Sequence, residues 1–182
     1  MIEKLYIFNE DKAAKHIPAC PTLVVRLEGT KDYPCPPLQP SPLYTAILDY
    51  GSVADGDIDR SLSPNVCSIS QFCVASLGDY QGERPASMLF ESLDWIMDTQ
   101  ELFDVGTARR MIYDFEMHYR SVDALVVHCA AGVTRSPTYA LAMNDLFDLG
   151  FNSLKLRRKY GLLSQHMYRT LMDVGSVMVD RG

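Results

Sequence analysis

No two of the five cysteines, Cys20, Cys35, Cys67, Cys73 and Cys129, stand in a CxxC pair, and their number is odd. That fits neither a disulfide-stapled scaffold nor a zinc site built on closely paired ligands. A reducing, cytoplasmic setting accounts for it more simply. Positive charge is not in excess either: the formal charge is −6. This argues against a broad nucleic-acid face, whose affinity would come from many Lys and Arg neutralising phosphates. No apolar stretch approaches the roughly 18 residues that suggest a membrane span. The opening MIEKLYIFNEDKAAKH lacks the basic start and long apolar core of a signal peptide. Internal repeats and low-complexity segments are absent as well. What remains is ordinary globular composition, 47% apolar and 22% charged, over 182 residues. That length suits one domain, 1–182, with room for an insertion or lid around 50–93, and buries a substantial core. The expectation is a soluble, cytoplasmic protein.

The first half is rich in short apolar or β-branched runs bounded by Pro, Gly or charge: 5–8, Thr22 to Leu27 and Tyr44 to Tyr50. Between the last two, residues 33–42 carry five prolines in ten positions. Without their N–H groups this stretch must be an extended or turning loop. Residues 51–64, rich in Gly, Asp and Ser, read as another loop, and 65–77 and 87–93 as further strand candidates. The period then changes. Apolar residues at 105, 108, 111, 112, 115 and 119 predict a helix with Asp104 as N-cap. Ala124 to Val127 predicts a buried strand. Pro137 opens a helix with apolar positions 139, 142, 143, 146 and 147, and Gly150 is placed as its stop. A last helix begins at Ser164, with 167, 171, 174 and 178 on one side. The pattern predicts an α/β domain with a central sheet.

Between the buried strand and the next helix lies HCAAGVTRSP, residues 128–137. A strand ending at His128 delivers Cys129 to the carboxyl edge of the sheet, where ligand sites of α/β proteins form. If the following residues wrap into the helix N-terminus, their N–H groups and the helix dipole make an anion site. Ala130, Ala131 and Gly132 keep its rim open, and Gly132 reaches φ > 0 at little cost. The same field favours the thiolate form of Cys129. Arg135 supplies a planar, permanently charged fork suited to phosphate. Ser136 can donate a hydrogen bond to the sulfur, and His128 can fix the local backbone. The constellation is a nucleophile inside an oxyanion cradle.

His128-Cys129-Ala-Ala-Gly132-Val-Thr-Arg135-Ser136 resembles the HCxxGxxR[ST] signature of the cysteine-dependent phosphatases, the protein-tyrosine and dual-specificity superfamily. The longer LVVHCAAGVTRSP looks like a compact microbial dual-specificity-like branch. A bare Cys-x5-Arg is common by chance; the flanking His128, Gly132, Ser136, strand and helix make it specific. The resemblance covers 104–149 and extends to HMYRTL (166–171) and to 22–38 as an early strand with a Pro-rich loop, but not to about 50–93. It implies a mostly parallel sheet flanked by helices, with a phosphate-binding loop between a strand and a helix. It implies that Cys129 attacks phosphorus and that the resulting phosphocysteine is hydrolysed by water. Ala130, Ala131, Gly132, Val133, Thr134 and Arg135 then hold the equatorial oxygens, and phosphate, sulfate or vanadate should bind in the 129–135 loop. No cofactor or metal is implied. The substrate would be a phosphorylated protein or a small phosphoester, with no nucleic-acid or membrane partner.

Family members protonate the leaving oxygen with an Asp on a separate loop, some three dozen residues before the cysteine or a little fewer. Asp94 lies 35 residues upstream of Cys129 and is the favoured acid, with Asp98, 31 upstream, the alternative. In a rival alignment 44–50 is the strand before the acid loop, and Asp55 or Asp57 is the acid. Trp95 either lines the mouth beside Asp94 or belongs to the core. The basic run Lys155, Arg157, Arg158, Lys159 either attracts an acidic or phosphorylated substrate or is a solvated helix face. His166 stands near the site or serves structure, and any of the other four cysteines could form a protective disulfide with Cys129.

Three function classes follow. The leading one is a metal-independent phosphatase on phosphotyrosine, extending to phosphoserine, phosphothreonine or a non-protein phosphoester. The loop carries no lysine, which lowers the reading of an inositol-lipid phosphatase. The second is a phosphate-binding module that no longer turns over. The third is a thiol redox or sulfur-transfer enzyme, against which stands the lack of a resolving cysteine near Cys129 in the sequence.

Overall fold

The structure is a computed structural model and describes residues 2–27, 35–50 and 103–179. It shows an α/β fold: a parallel sheet of four strands with helices. The chain runs β1 (Lys4–Asn9), α1 (Glu10–Lys15), β2 (Thr22–Arg26) and β3 (Tyr44–Asp49). It continues with α2 (Val105–His118), a 3-10 turn (Tyr119–Ser121), β4 (Ala124–Cys129), α3 (Arg135–Phe147), α4 (Ser153–Lys159) and α5 (Gln165–Val179). The predicted strands at 65–77 and 87–93 lie outside the described residues, as does the insertion around 50–93 apart from Tyr50.

The strands stand in the order β1-β4-β2-β3, so β4 has a neighbour on each side. Its run ALVVHC is buried at every position, as expected for a parallel strand covered on both faces. Alternation divides it. Leu125, Val127 and Cys129 join Leu23 and Val25 of β2 in the main core with α2, α3 and α5, while His128 faces the other way. Phe115 of α2 sits at the centre of an aromatic group, with its ring 5.5 Å from Tyr119 and 5.0 Å from Phe147. Truncating such a buried ring costs about 3–5 kcal/mol.

Each helix has a local cause. Asp104 caps α2, its Oδ1 accepting from the Thr107 N–H at 2.6 Å, and this bond holds its carboxyl below the usual range. Ala108, Met111, Ile112 and Phe115 form the buried face; Val105, counted with it by spacing, is 52% exposed because it precedes the first turn that meets the core. α3 is buried from Ser136 to Asn144, all round rather than on one face. It ends at Asp148 in the left-handed region (φ 46), two residues before Gly150, which is also left-handed (φ 85). The stop is therefore Asp148, whose short side chain tolerates that conformation. Ser164 caps α5 through its Oγ, which accepts from the Met167 N–H at 3.2 Å. Gly175 of α5 faces Leu146 of α3 so closely that a Cβ would lie 2.5 Å from its methyl groups, which is what lets the two helices meet.

Hydrophobic periodicity anticipated neither α1 nor α4, which has no buried residue. α1 buries only Ala13, so it has no apolar stripe to read. It exists because Asn9 caps it, its Oδ1 accepting from the Lys12 N–H at 3.0 Å, and because Glu10 and Asp11 complement the dipole in its first turn.

Candidate functional site

All four strands point their carboxyl ends to one edge, and two of the ends flank Cys129. Asn9 is its register partner in β1, and Arg26 of β2 pairs with His128. Cys129 closes β4 itself, and residues 130–134 carry the chain into α3, whose first residue is Arg135.

The sulfur is only slightly exposed and, among the described residues, has two hydrogen-bonding neighbours, both from this loop and helix. The Gly132 N–H donates to Sγ at 3.3 Å, and Ser136 Oγ lies 3.2 Å from it. Gly132 reaches this position with φ +72. A Cβ there would lie 2.7 Å from the Asn9 nitrogen and the Phe8 carbonyl carbon, so side chains are excluded both by conformation and by space. The sulfur thus has beside it one backbone N–H donor and one hydroxyl able to donate or accept.

Arg135 is half-buried, and one Nη donates to the Leu27 carbonyl at 3.2 Å, holding the guanidinium at the end of β2. The start of α3 is fixed by Thr138. Its Oγ1 donates to the Thr134 carbonyl at 2.6 Å and accepts from the Ser164 N–H at 2.9 Å, tying the loop's exit to the start of α5. Cys129, Gly132 and Ser136, three of the residues singled out in the sequence, are thus brought together, and Arg135 precedes Ser136 on α3 with its guanidinium at the end of β2. Ala130, Ala131, Val133 and Thr134 form the rest of the turn.

His128 corrects its expected role. Its ring is buried, and among the described residues neither nitrogen has a hydrogen-bond partner. The backbone there is held instead by the ladder, the Leu27 N–H donating to the His128 carbonyl at 3.0 Å. The reason is strand alternation, which turns the imidazole to the face opposite Cys129. Burial pushes its pKa down to about 4, helped by the Arg26 charge and opposed by Asp49.

Arg26 and Asp49 were not singled out in the sequence. They are register partners at the ends of β2 and β3, with Arg26 Nε 3.6 Å from Asp49 Oδ2 and Arg26 Nη2 donating to the Pro36 carbonyl at 3.3 Å. A charged residue closing each of two apolar runs, TLVVR and YTAILD, was the available signal. Next to them Tyr50 donates its N–H to the Arg26 carbonyl at 3.0 Å and its hydroxyl to Asp114 of α2 at 3.1 Å.

The other expectations divide as follows. Asp94, Asp98, Asp55, Asp57, Trp95, Cys67 and Cys73 lie outside the described residues. Cys20 and Cys35 are both half-buried. His166 is an anchor, its Nε2 2.9 Å from the Phe103 carbonyl. The basic run lies on α4 and its C-terminal end, and it is divided. Arg157 pairs with Asp145 at 3.5 Å and stacks over Tyr168 at 4.5 Å, while Lys155, Arg158 and Lys159 are exposed.

Among the described residues no three His, Cys, Asp or Glu side chains group as metal ligands, and no helix is long and apolar enough to cross a membrane. Comparison with known proteins finds no matching family model, no matching curated protein and no matching solved structure.

Proposed function

We propose that this protein is a cysteine-dependent phosphatase, related to the protein-tyrosine and dual-specificity superfamily, that hydrolyses phosphotyrosine and related phosphomonoesters. The observation that carries the reading is the convergence of the Gly132 N–H and Ser136 Oγ on the Cys129 sulfur, at a strand end, with Arg135 opening the following helix. In the proposed reaction the thiolate forms a bond to phosphorus as the ester P–O bond breaks, and the leaving oxygen takes a proton from a carboxylic acid. Water then attacks the phosphocysteine, releasing inorganic phosphate and restoring the thiolate. Loop amides and Arg135 hold the charge spread over the equatorial oxygens. Asp94 is the proposed acid and Asp98 its alternative; acid help of this kind is worth about a hundred- to ten-thousandfold.

The test is hydrolysis of p-nitrophenyl phosphate in the presence of chelator by wild type, Cys129→Ser and Asp94→Ala. The reading expects turnover by wild type, none by Cys129→Ser, and in Asp94→Ala a loss much larger with alkyl than with aryl esters, since phenolate leaves with less protonation. A second reading, a phosphate-binding module without turnover, has one observation in its favour. Asp49, the described carboxylate closing β3 at the carboxyl edge, is engaged by Arg26, whose Nε lies 3.6 Å from its Oδ2. An inert wild type that still binds orthovanadate would select that reading. Absence of both turnover and vanadate binding would reject the two together.

A further inference from the structure

We propose that Asn9 is a positioning residue for the Cys129 loop. By capping α1 it holds the Phe8–Asn9–Glu10 backbone as a wall, and that wall sets how closely the Gly132 N–H approaches the sulfur. The functional weight of the proposal rests on the reading of the loop as an oxyanion cradle.

Three contacts place the wall. The β1–β4 ladder does not stop at the end of the strands: past the Asn9–Cys129 register pair, the Glu10 N–H donates to the Ala130 carbonyl at 3.3 Å, inside the loop. That bond turns one loop carbonyl outward to β1. Two residues on, Gly132 lies against the Phe8–Asn9 peptide, so closely that a Cβ would stand 2.7 Å from the Asn9 nitrogen and 2.8 Å from the Phe8 oxygen. The same glycine donates its N–H to the sulfur at 3.3 Å. Backbone therefore meets backbone on one side of Gly132 and the sulfur takes its N–H on the other. No flexible side chain stands at the first of these contacts to absorb a shift, so movement of the Phe8–Asn9 peptide passes directly to the donor.

What holds that peptide is slight, and this gives Asn9 its leverage. Among the described residues β1 is an edge strand with β4 as its one neighbour. α1 has six residues and buries only Ala13. A helix this short does not persist by itself. Its one side-chain cap is Asn9 Oδ1, accepting from the Lys12 N–H at 3.0 Å. Loss of an N-cap costs typically about 1 kcal/mol, an approximately fivefold change in an equilibrium.

The test compares the full chain with Asn9→Ala and Asn9→Ser, the second restoring a capping oxygen. Two quantities are measured: orthovanadate affinity by titration calorimetry, and the pH profile of Cys129 alkylation by iodoacetamide, followed on its own peptide by mass spectrometry. Asn9→Ala is expected to bind vanadate about fivefold more weakly and to shift the alkylation profile to higher pH, with Asn9→Ser near wild type in both. A cap that merely stabilised the fold would lower the melting temperature and leave both quantities unchanged, and that result overturns the proposal. If Asn9→Ala does not fold, Asn9→Gly, which lacks the oxygen at a milder cost, carries the comparison at a smaller amplitude, about 1.5- to twofold in vanadate affinity. Wild type that fails to bind vanadate counts against the phosphatase reading. In that case the alkylation profiles still decide whether Asn9 positions the loop.

Discussion

Acid should destabilise this protein through one side chain more than through any other described histidine. His128 is buried with neither ring nitrogen bonded among the described residues, and burial, aided by the charge of Arg26, lowers its pKa from 6.5 to about 4. The folded state thus keeps the ring neutral where the unfolded chain already binds a proton. The resulting stability is complete above the unfolded pKa and is lost as pH falls through 6.5 towards 4. At 1.36 kcal/mol per pH unit of displacement, the loss reaches about 3 kcal/mol near pH 4, a large part of the roughly 5–15 kcal/mol that holds a domain together. The perturbation that isolates it is His128→Leu, similar in volume and without a titrating group. Since the ring makes no hydrogen bond among the described residues, its replacement should change stability at neutral pH by no more than about 1.5 kcal/mol. Urea unfolding of both proteins from pH 7 to pH 4 provides the assay. Carboxylates titrate in both, so the difference between the curves carries the histidine. The gap should move by about 3 kcal/mol in favour of the variant as pH falls. Parallel curves would refute the reasoning, for they would mean that the folded protein accommodates the charged ring.

Two further substitutions test the frame of the site. Gly132→Ala places a methyl group 2.7 Å from backbone of β1 at φ +72, and should cost at least about 2 kcal/mol in chemical denaturation while abolishing vanadate binding; an alanine variant that folds and binds like wild type would show that the loop is not fixed against β1. Asn144→Ala removes bonds at 3.0 Å to the Phe151 carbonyl and N–H and at 2.8 Å to Ser153 Oγ. It should lower stability by about 2–4 kcal/mol, measured by thermal or urea unfolding, leaving the Cys129 loop intact by its alkylation profile.

What could be read from the sequence was what local chemistry decides. An unbroken apolar run made β4, Asp104 announced α2, and Gly132 marked the one loop position where a side chain does not fit. What could not be read depends on which strands lie side by side. Arg26 meets both His128 and Asp49 only because β2 lies between β4 and β3, a fact carried by no local pattern. The burial of α3 on every side from Ser136 to Asn144 was hidden for a related reason. Thr138 and Asn144 look like solvent-facing residues until Ser164, Phe151 and Ser153 arrive from later in the chain to bond them. The direction of His128, by contrast, was open to inference: its place beside Cys129 on a strand already requires opposite faces.

The strand order also governs how the molecule comes into being. β1 and β2 are separated in the finished sheet by a strand some hundred residues later in the chain, so no early pair can close the gap between them. A nascent chain that has exposed β1, β2 and β3 still has two unsatisfied ladders facing each other, and both wait for Ala124–Cys129. Pairings this distant are slow to form, and unpaired edges invite association with other chains in the interval. The strand that closes the sheet is the same one that brings the cysteine to its edge. The site comes into existence at the moment the sheet is completed, and synthesis that stops before β4 leaves neither.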